Sequence, residues 1–315
     1  MIVVTGGAGF IGSNLLKKLN ESGREDLIVV DDLTDGRKIT NIADCTIADY
    51  LDKDEWRALL GSDRAVGRSG DCVYHLGACS DTAQWNGRTM MDTNFACSRA
   101  TFDFCTRNGI SLVYASSAAV YGNGKHFEEA PRCECPLNVY GYSKLAFDQY
   151  VRRRLGDIDS LVAGLRYFNV YGPREQHKGR MASVAWHLND QMRSHSALRL
   201  FQGSHGFADG EQRRDFVYVD DVVDVTLWFG KQGPDKSGIY NCGTGRAETF
   251  NAVANAVIDW HGRGATEYSE FPPELVASYQ PFTQADLSRL RAAGYEGNFR
   301  SVADGVREYL NWLNS

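Results

Sequence analysis

Through the first half of the chain, short and nearly continuous apolar runs alternate with segments whose apolar residues recur every three or four positions. The runs at 2–5, 27–31, 72–76, 112–116 and 161–167 are too uniformly apolar for strands with one wet face and predict buried strands. Segments 11–22, 54–60, 88–108 and 139–155 have helical spacing and predict covering helices. That alternation, with right-handed crossovers, gives an α/β class: a doubly wound Rossmann parallel sheet. The rhythm breaks after residue 169. Gly-, His- and Arg-rich stretches at 172–180 and 203–214 read as loops around a ligand, as does the excursion at 122–136. A strand at 215–219 and helices at 222–229, 249–260 and 301–314 complete the pattern. The expected division is a larger lobe at 1–168 with returning segments around 214–240, and a smaller C-terminal α/β lobe drawn mainly from 169–213 and 241–315.

Composition narrows the function classes. The 315 residues carry 34 Lys+Arg against 40 Asp+Glu, a net charge of -6, so no overall cationic field draws nucleic acid or anionic lipid. A phosphate-bearing ligand must be gripped locally. No apolar run reaches the roughly 18 to 20 residues of a membrane helix, and the N-terminus enters a strand without a basic leader, so the expected location is the cytoplasm. The eight cysteines mostly sit singly in apolar stretches and read as reduced thiols. Cys133-Glu134-Cys135 lacks a second Cys or His pair nearby, so neither metal nor disulfide is expected there.

Gly6-Gly7-Ala8-Gly9-Phe10-Ile11-Gly12 lies between the first strand and the first helix. Glycine there permits a tight turn and close backbone approach to a pyrophosphate, and the helix N-terminus offers free N–H groups, so this is a dinucleotide loop. Asp31, with Asp32 beside it, ends the second strand where a carboxylate accepts from the ribose hydroxyls of NAD. Arg37, Lys38 and Lys53 are basic groups of the kind that neutralise the 2′-phosphate of NADP, so residue types alone leave both cofactors open. Asp49 is expected to meet the adenine, and Leu76-Gly77-Ala78-Cys79-Ser80 to pass the pyrophosphate at another strand end. Tyr140 and Lys144, four residues apart, project from one helix face. A nearby cation favours the phenolate, and such a pair exchanges a proton with a carbinol while a nicotinamide exchanges the hydride. Ser117, at a strand end, is placed to bond the same oxygen.

These motifs resemble the extended short-chain dehydrogenase/reductase family of nucleotide-sugar epimerases and dehydratases. The matching residues are Thr5-Gly6-Gly7-Ala8-Gly9-Phe10-Ile11-Gly12, Asn94, Ser116-Ser117-Ala118-Ala119-Val120-Tyr121-Gly122, Tyr140 with Lys144, Arg166-Tyr167-Phe168-Asn169-Val170-Tyr171-Gly172-Pro173 and Arg214-Asp215-Phe216-Val217-Tyr218-Val219. Within that family, 136–144, Tyr171-Gly172-Pro173-Arg174-Glu175-Gln176-His177-Lys178-Gly179, 181–185 and 282–287 are similar to the branch that epimerises an ADP-heptose at C6 to supply the lipopolysaccharide inner core.

The resemblance implies one tightly bound NADP per subunit, Lys38 and Lys53 among its contacts, and a homo-oligomer, commonly a pentamer. It adds Asn94, Val170 and Lys178 to the cofactor contacts, and implies Lys178 as a second acid/base for the opposite face of the sugar carbon. Ser117, Asn169, Arg180, His187, Phe201-Gln202-Gly203-Ser204, Arg214 and Tyr279 are implied to hold the ADP-heptose. In relatives a small residue is expected at Arg180 and a shorter loop at 203–214. A sugar-nucleotide dehydratase needs a carboxylate pair after the strand-end hydroxyl, where this chain has Ala118 and Ala119. A UDP-hexose 4-epimerase shares Tyr140, Lys144 and Ser117, and Lys178 is what a 6-epimerase adds. A non-catalytic NADP-binding scaffold is expected to have lost the Tyr or the Lys.

Overall fold

The computed structural model describes residues 1–62, 70–273 and 279–315. Its first half runs β1 (Ile2–Thr5), α1 (Phe10–Glu21), β2 (Leu27–Asp31), β3 (Asp49–Asp52), α2 (Lys53–Leu60), β4 (Cys72–His75), α3 (Gly87–Met90), α4 (Cys97–Arg107), β5 (Ser111–Ser117), α5 (Val139–Arg152) and β6 (Val162–Tyr167). Then follow β7 (Asn169–Tyr171), α6 (Val184–Ser194), β8 (Ala197–Phe201), β9 (Arg213–Arg214), β10 (Phe216–Tyr218), α7 (Val219–Phe229), β11 (Gly238–Cys242), β12 (Glu248–Thr249), α8 (Phe250–His261), β13 (Ala265–Ser269), α9 (Ser288–Ala293) and α10 (Val302–Leu313).

Seven parallel strands form the main sheet in the order β11-β6-β5-β4-β1-β2-β3. Helices α1 and α7 cover one face through Leu15, Leu16, Val222 and Phe229, and α2, α4 and α5 cover the other through Trp56, Phe102 and Phe147. Burial of both faces is why the strand sequences are apolar throughout. Two strands escape the apolar-run criterion. Edge strand β3 reads Asp-Tyr-Leu-Asp and is only partly buried, and β11 includes Asn241, whose amide is spent on Tyr121 and Phe127 inside the core. The strand expected at 215–219 is shorter and pairs with β7 in a separate ribbon, because Val219 already begins α7. The single helix expected at 88–108 is α3, a π-helical turn at Met91–Ala96 and α4.

A second core, with Leu188, Met192, Val253, Val257, Val306 and Tyr309, unites α6, α8 and α10 with β7, β8 and β10. The boundary is not a single cut. Leu290, Ala293, Tyr295 and Phe299 pack into the core of the main sheet beside Tyr240 and Phe229, so 287–299 sits with the first lobe.

Candidate active site

The strand order reverses between β1 and β4, which opens a crevice at the carboxyl ends of the strands. A cleft of about 1180 Å³ fills it. Gly6 turns back at φ +68 and Gly9 N–H donates to Gly6 O at 3.0 Å. A Cβ on Gly12 would lie 2.1 Å from Gly6 O, and one on Gly6 would lie 2.7 Å from the Gly77 nitrogen, so the first turn fits only without side chains. Helix α1 begins at Phe10 with neither a side-chain cap nor an acidic residue in its first turn. Its free N–H groups face the cleft beside Gly6, Gly9, Phe10, Ile11 and Gly12, a cradle that fits a pyrophosphate.

The loop after β4 forms the facing wall, with Leu76, Gly77, Ala78, Cys79 and Ser80 all lining the cleft. Asn94, expected among the cofactor contacts, is instead only 1% exposed behind it. Its carboxamide accepts from Cys79 N–H at 2.8 Å and donates to Cys79 O at 3.0 Å and Ser143 Oγ at 3.0 Å. Asn94 therefore braces the loop from the π-helical turn, a distortion that recurs near functional sites.

At the ribose end Asp31 lines the cleft, but its carboxylate is already engaged. Oδ2 accepts from Ala8 N–H at 2.7 Å, and Oδ1 accepts from Asp32 N–H at 2.7 Å and from Lys38 at 2.5 Å. Lys38 also donates to Asp32 O at 2.8 Å, and Lys53 pairs with the Asp32 carboxylate. Two ammonium groups thus converge on the end of β2. Arg37 points away, 82% exposed and paired with Asp35. Asp49, expected at the adenine, starts β3 and so lies at the wrong end of a parallel strand, exposed and outside the cleft.

Ser117, Tyr140 and Lys144 line the middle of the cleft. Asn138 caps α5 through Gly141 N–H at 2.8 Å, which fixes the first turn carrying Tyr140. Burial pushes the Tyr140 phenol up, and its hydrogen bond with Ser117 pulls it down. Lys144 is 5% exposed and donates to Ala115 O at 2.8 Å. Beneath it, Asp148 accepts from Tyr114 Oη at 3.0 Å, Ser116 Oγ at 2.9 Å and Arg166 Nε at 2.9 Å, while Arg166 also pairs with Glu134. Sequence patterning missed this buried network.

Burial pulls the Lys144 ammonium down to about 8, and Asp148 opposes that pull. The folded value lies below the ordinary 10.5, so between the two the unfolded chain holds the extra proton. The stability contribution of Lys144 is lowest below pH 8 and rises from there towards 10.5. Lys144→Met removes this titration. Wild-type stability relative to that variant is expected to increase between about pH 8 and 10.5 in urea denaturation, and a flat difference would contradict the buried charge.

Lys178 enters the cleft on the turn Gln176–Met181, its ammonium 5.2 Å from the centre of the Phe10 ring. Burial lowers its pKa and Glu175 opposes that shift. Asn169, Val170 and Arg180 also line the cleft.

The remaining expected substrate residues form an outer cluster rather than a wall. Arg214 lies 4.8 Å from the Tyr279 ring centre and 5.8 Å from that of Phe250, and Phe250 itself lines the cleft. Phe201 and Tyr279 both pack on Phe271, with centroids 5.4 and 5.0 Å apart. Gly203 N–H donates to Asp209 at 2.7 Å and Gln212 holds Gln202 O and Ser204 Oγ, so the 202–212 loop is tied to itself. His187 packs edge-on against Trp186 on α6, outside the cleft lining.

Among family models, that of the NAD dependent epimerase/dehydratase family matches residues 2–243. The chain is 60% identical over 311 residues to the ADP-L-glycero-D-manno-heptose-6-epimerase of Alkalilimnicola ehrlichii, covering 99% of this chain and 97% of that one. The crystal structure of the Helicobacter pylori ADP-L-glycero-D-manno-heptose-6-epimerase superposes with a TM-score of 0.83 at 29% identity, over 100% of this chain and 96% of that one. The Thermotoga maritima UDP-glucose 4-epimerase with UDP-glucose gives 0.80 at 27% identity, over 99% and 98% of the two chains.

Proposed function

Because the chain belongs to the NAD-dependent epimerase/dehydratase family, we propose that it is an isomerase that converts ADP-D-glycero-D-manno-heptose to ADP-L-glycero-D-manno-heptose. The observation that carries this reading is 60% identity to such an epimerase across 99% of the chain. The arrangement of Ser117, Tyr140, Lys144 and Lys178 around one cleft agrees with it. The sugar nucleotide would extend from this cleft towards Arg214, where a guanidinium suits a diphosphate and Tyr279 and Phe250 offer ring faces.

A nicotinamide dinucleotide, when bound, supplies reversible hydride transfer at the sugar C6. The protein's part is proton handling and orientation. Tyr140 Oη, hydrogen-bonded to Ser117, would take the carbinol proton in its phenolate form as the C6 hydride leaves for the nicotinamide, burial opposing that form and the Ser117 contact favouring it. Inversion requires the ketone to present its other face, and the Lys178 ammonium then donates a proton to the oxygen from a second direction as hydride returns to C6. Lys144 holds α5 to the end of β5 through Ala115 O and places a positive charge under the site.

The cofactor in this reading is NADP, tightly held. Asp31 is engaged by Ala8, Asp32 and Lys38 rather than open to a ribose hydroxyl, and a 2′-phosphate would share the Lys38 and Lys53 ammonium groups with the carboxylates they now pair with. The same reading places the enzyme in the cytoplasm, as a homopentamer supplying heptose for the lipopolysaccharide core.

Incubation with ADP-D-glycero-D-manno-heptose followed by carbohydrate NMR is expected to show the L-glycero epimer. Conversion of UDP-galactose without any L-glycero product would replace this assignment with a 4-epimerase. Acid release and chromatography are expected to yield the phosphorylated dinucleotide, and the paired change Lys38→Ala with Lys53→Ala to cost about tenfold or more in its retention, as two charge-assisted contacts imply. Recovery of NAD would overturn the NADP reading.

A further inference from the structure

The turn that carries Lys178 is pinned at its base and tethered at two points above it. Glu175 and Ser183 close the base, Ser183 N–H and Oγ each donating to the buried Glu175 carboxylate at 2.6 Å. On one side His177 Nδ1 lies 3.0 Å from Asn41 Nδ2. On the other, Arg180 Nη2 donates to Asp81 Oδ2 at 2.9 Å. Asp81 belongs to the loop that follows Ser80 on the cofactor side of the cleft, and both it and Arg180 line that cleft. Its other oxygen, Oδ1, accepts from Ala83 N–H at 2.9 Å, which fixes the carboxylate towards Arg180. Lys178 hangs between these tethers. Gly179, the residue between it and Arg180, has φ +53 and open space around an added Cβ, so packing does not hold the turn at that point.

We infer that Arg180 and Asp81 form a clasp across the cleft mouth that positions Lys178, and that Arg180 is a positioning residue rather than a ligand of the sugar nucleotide. The inference rests on the reading of Lys178 as the second acid/base. The two side chains are 71% and 35% exposed, so their attraction is screened by salt and modest. A modest bias suffices to set how often Lys178 faces the substrate.

The test is a double-mutant cycle on the full enzyme with its cofactor. Arg180→Ala and Asp81→Ala are each expected to lower kcat by about two- to fivefold with KM unchanged, the range an exposed ion pair supports. The double variant should be no worse than either single one, and the exchange Asp81→Arg with Arg180→Asp should recover most of the loss. Wild-type kcat should fall as ionic strength rises, and kcat of the Ala variants should not.

A rise in KM or in the Kd of ADP for Arg180→Ala alone, with Asp81→Ala silent, would make Arg180 a substrate ligand and overturn the clasp. Additive losses, or none, would also overturn it. Lys178→Met distinguishes the underlying reading: if inversion survives that change, the role of Lys178 falls, while coupling between positions 81 and 180 is still read by the thermal stability of the same four proteins.

Discussion

Lys178→Met is expected to lower epimerisation by about 10²- to 10⁴-fold, the range for removal of a positioned general acid or base, while the protein still folds and holds its dinucleotide. Burial already disfavours the Lys178 ammonium, which lies 5.2 Å from the centre of the Phe10 ring. Methionine therefore keeps the stem and the ring contact while removing the proton donor. On the proposed NADP reading dinucleotide retention should change little, because the cleft also offers the backbone N–H groups of α1 for a pyrophosphate and the Lys38 and Lys53 ammonium groups at the ribose end. The decisive measurement pairs product NMR with the absorbance of the retained cofactor. Turnover within a factor of a few of wild type would remove Lys178 from the chemistry, and loss of cofactor together with activity would show that its task is binding.

Asp215→Ala is expected to destabilise the protein by about 3–5 kcal/mol, because it strands several buried hydrogen-bond donors at once. The Asp215 side chain is fully buried. Its Oδ1 accepts from Thr244 N–H at 2.7 Å and Thr244 Oγ1 at 2.8 Å, and its Oδ2 from Gly245 N–H at 2.9 Å and Ala285 N–H at 3.0 Å. One carboxylate ties together the start of β10, the loop after β11 and the segment before α9. Alanine leaves three backbone donors unpaired where water has little access, each costing about 1–3 kcal/mol before relaxation. Asp215→Asn keeps the shape but turns an NH₂ group towards donors, so it should recover only part of the loss. Urea midpoints at constant slope measure both. A change under about 1 kcal/mol for alanine would mean that the segment rearranges to satisfy its donors elsewhere.

The glycine loop and the Tyr140 and Lys144 pair are legible in the sequence because both are local: one is set by spacing within a single turn, the other by the rise of one helix. The main sheet is legible wherever a strand is buried on both faces. It fades at β3, where an edge position admits Asp49 and Asp52, and at β11, where Asn241 is stabilised by partners more than 100 residues away. Asp148, Glu175 and Asp215 look like ordinary charged residues in the sequence. The roles of Asp148 and Asp215 exist only once distant segments meet around them, as when Asp148 receives Tyr114 or Asp215 receives Ala285, and that of Glu175 only once the turn folds Ser183 back onto it. Asp49 shows the opposite error: the residue type suited an adenine contact, but its place at the start rather than the end of a parallel strand sets it at the end of the sheet away from the cleft.

The return of Leu290, Ala293, Tyr295 and Phe299 to the core under the main sheet bears on how such enzymes are recombined. A chimaera that borrows the sugar-nucleotide lobe of a relative by one crossover near residue 168 would import α7, β11 and the 287–299 segment as well, and would pair a foreign layer with the native sheet. Crossovers placed on both sides of each returning segment keep that layer with the strands it evolved against, so the unit of exchange is a set of separated stretches rather than the C-terminal half.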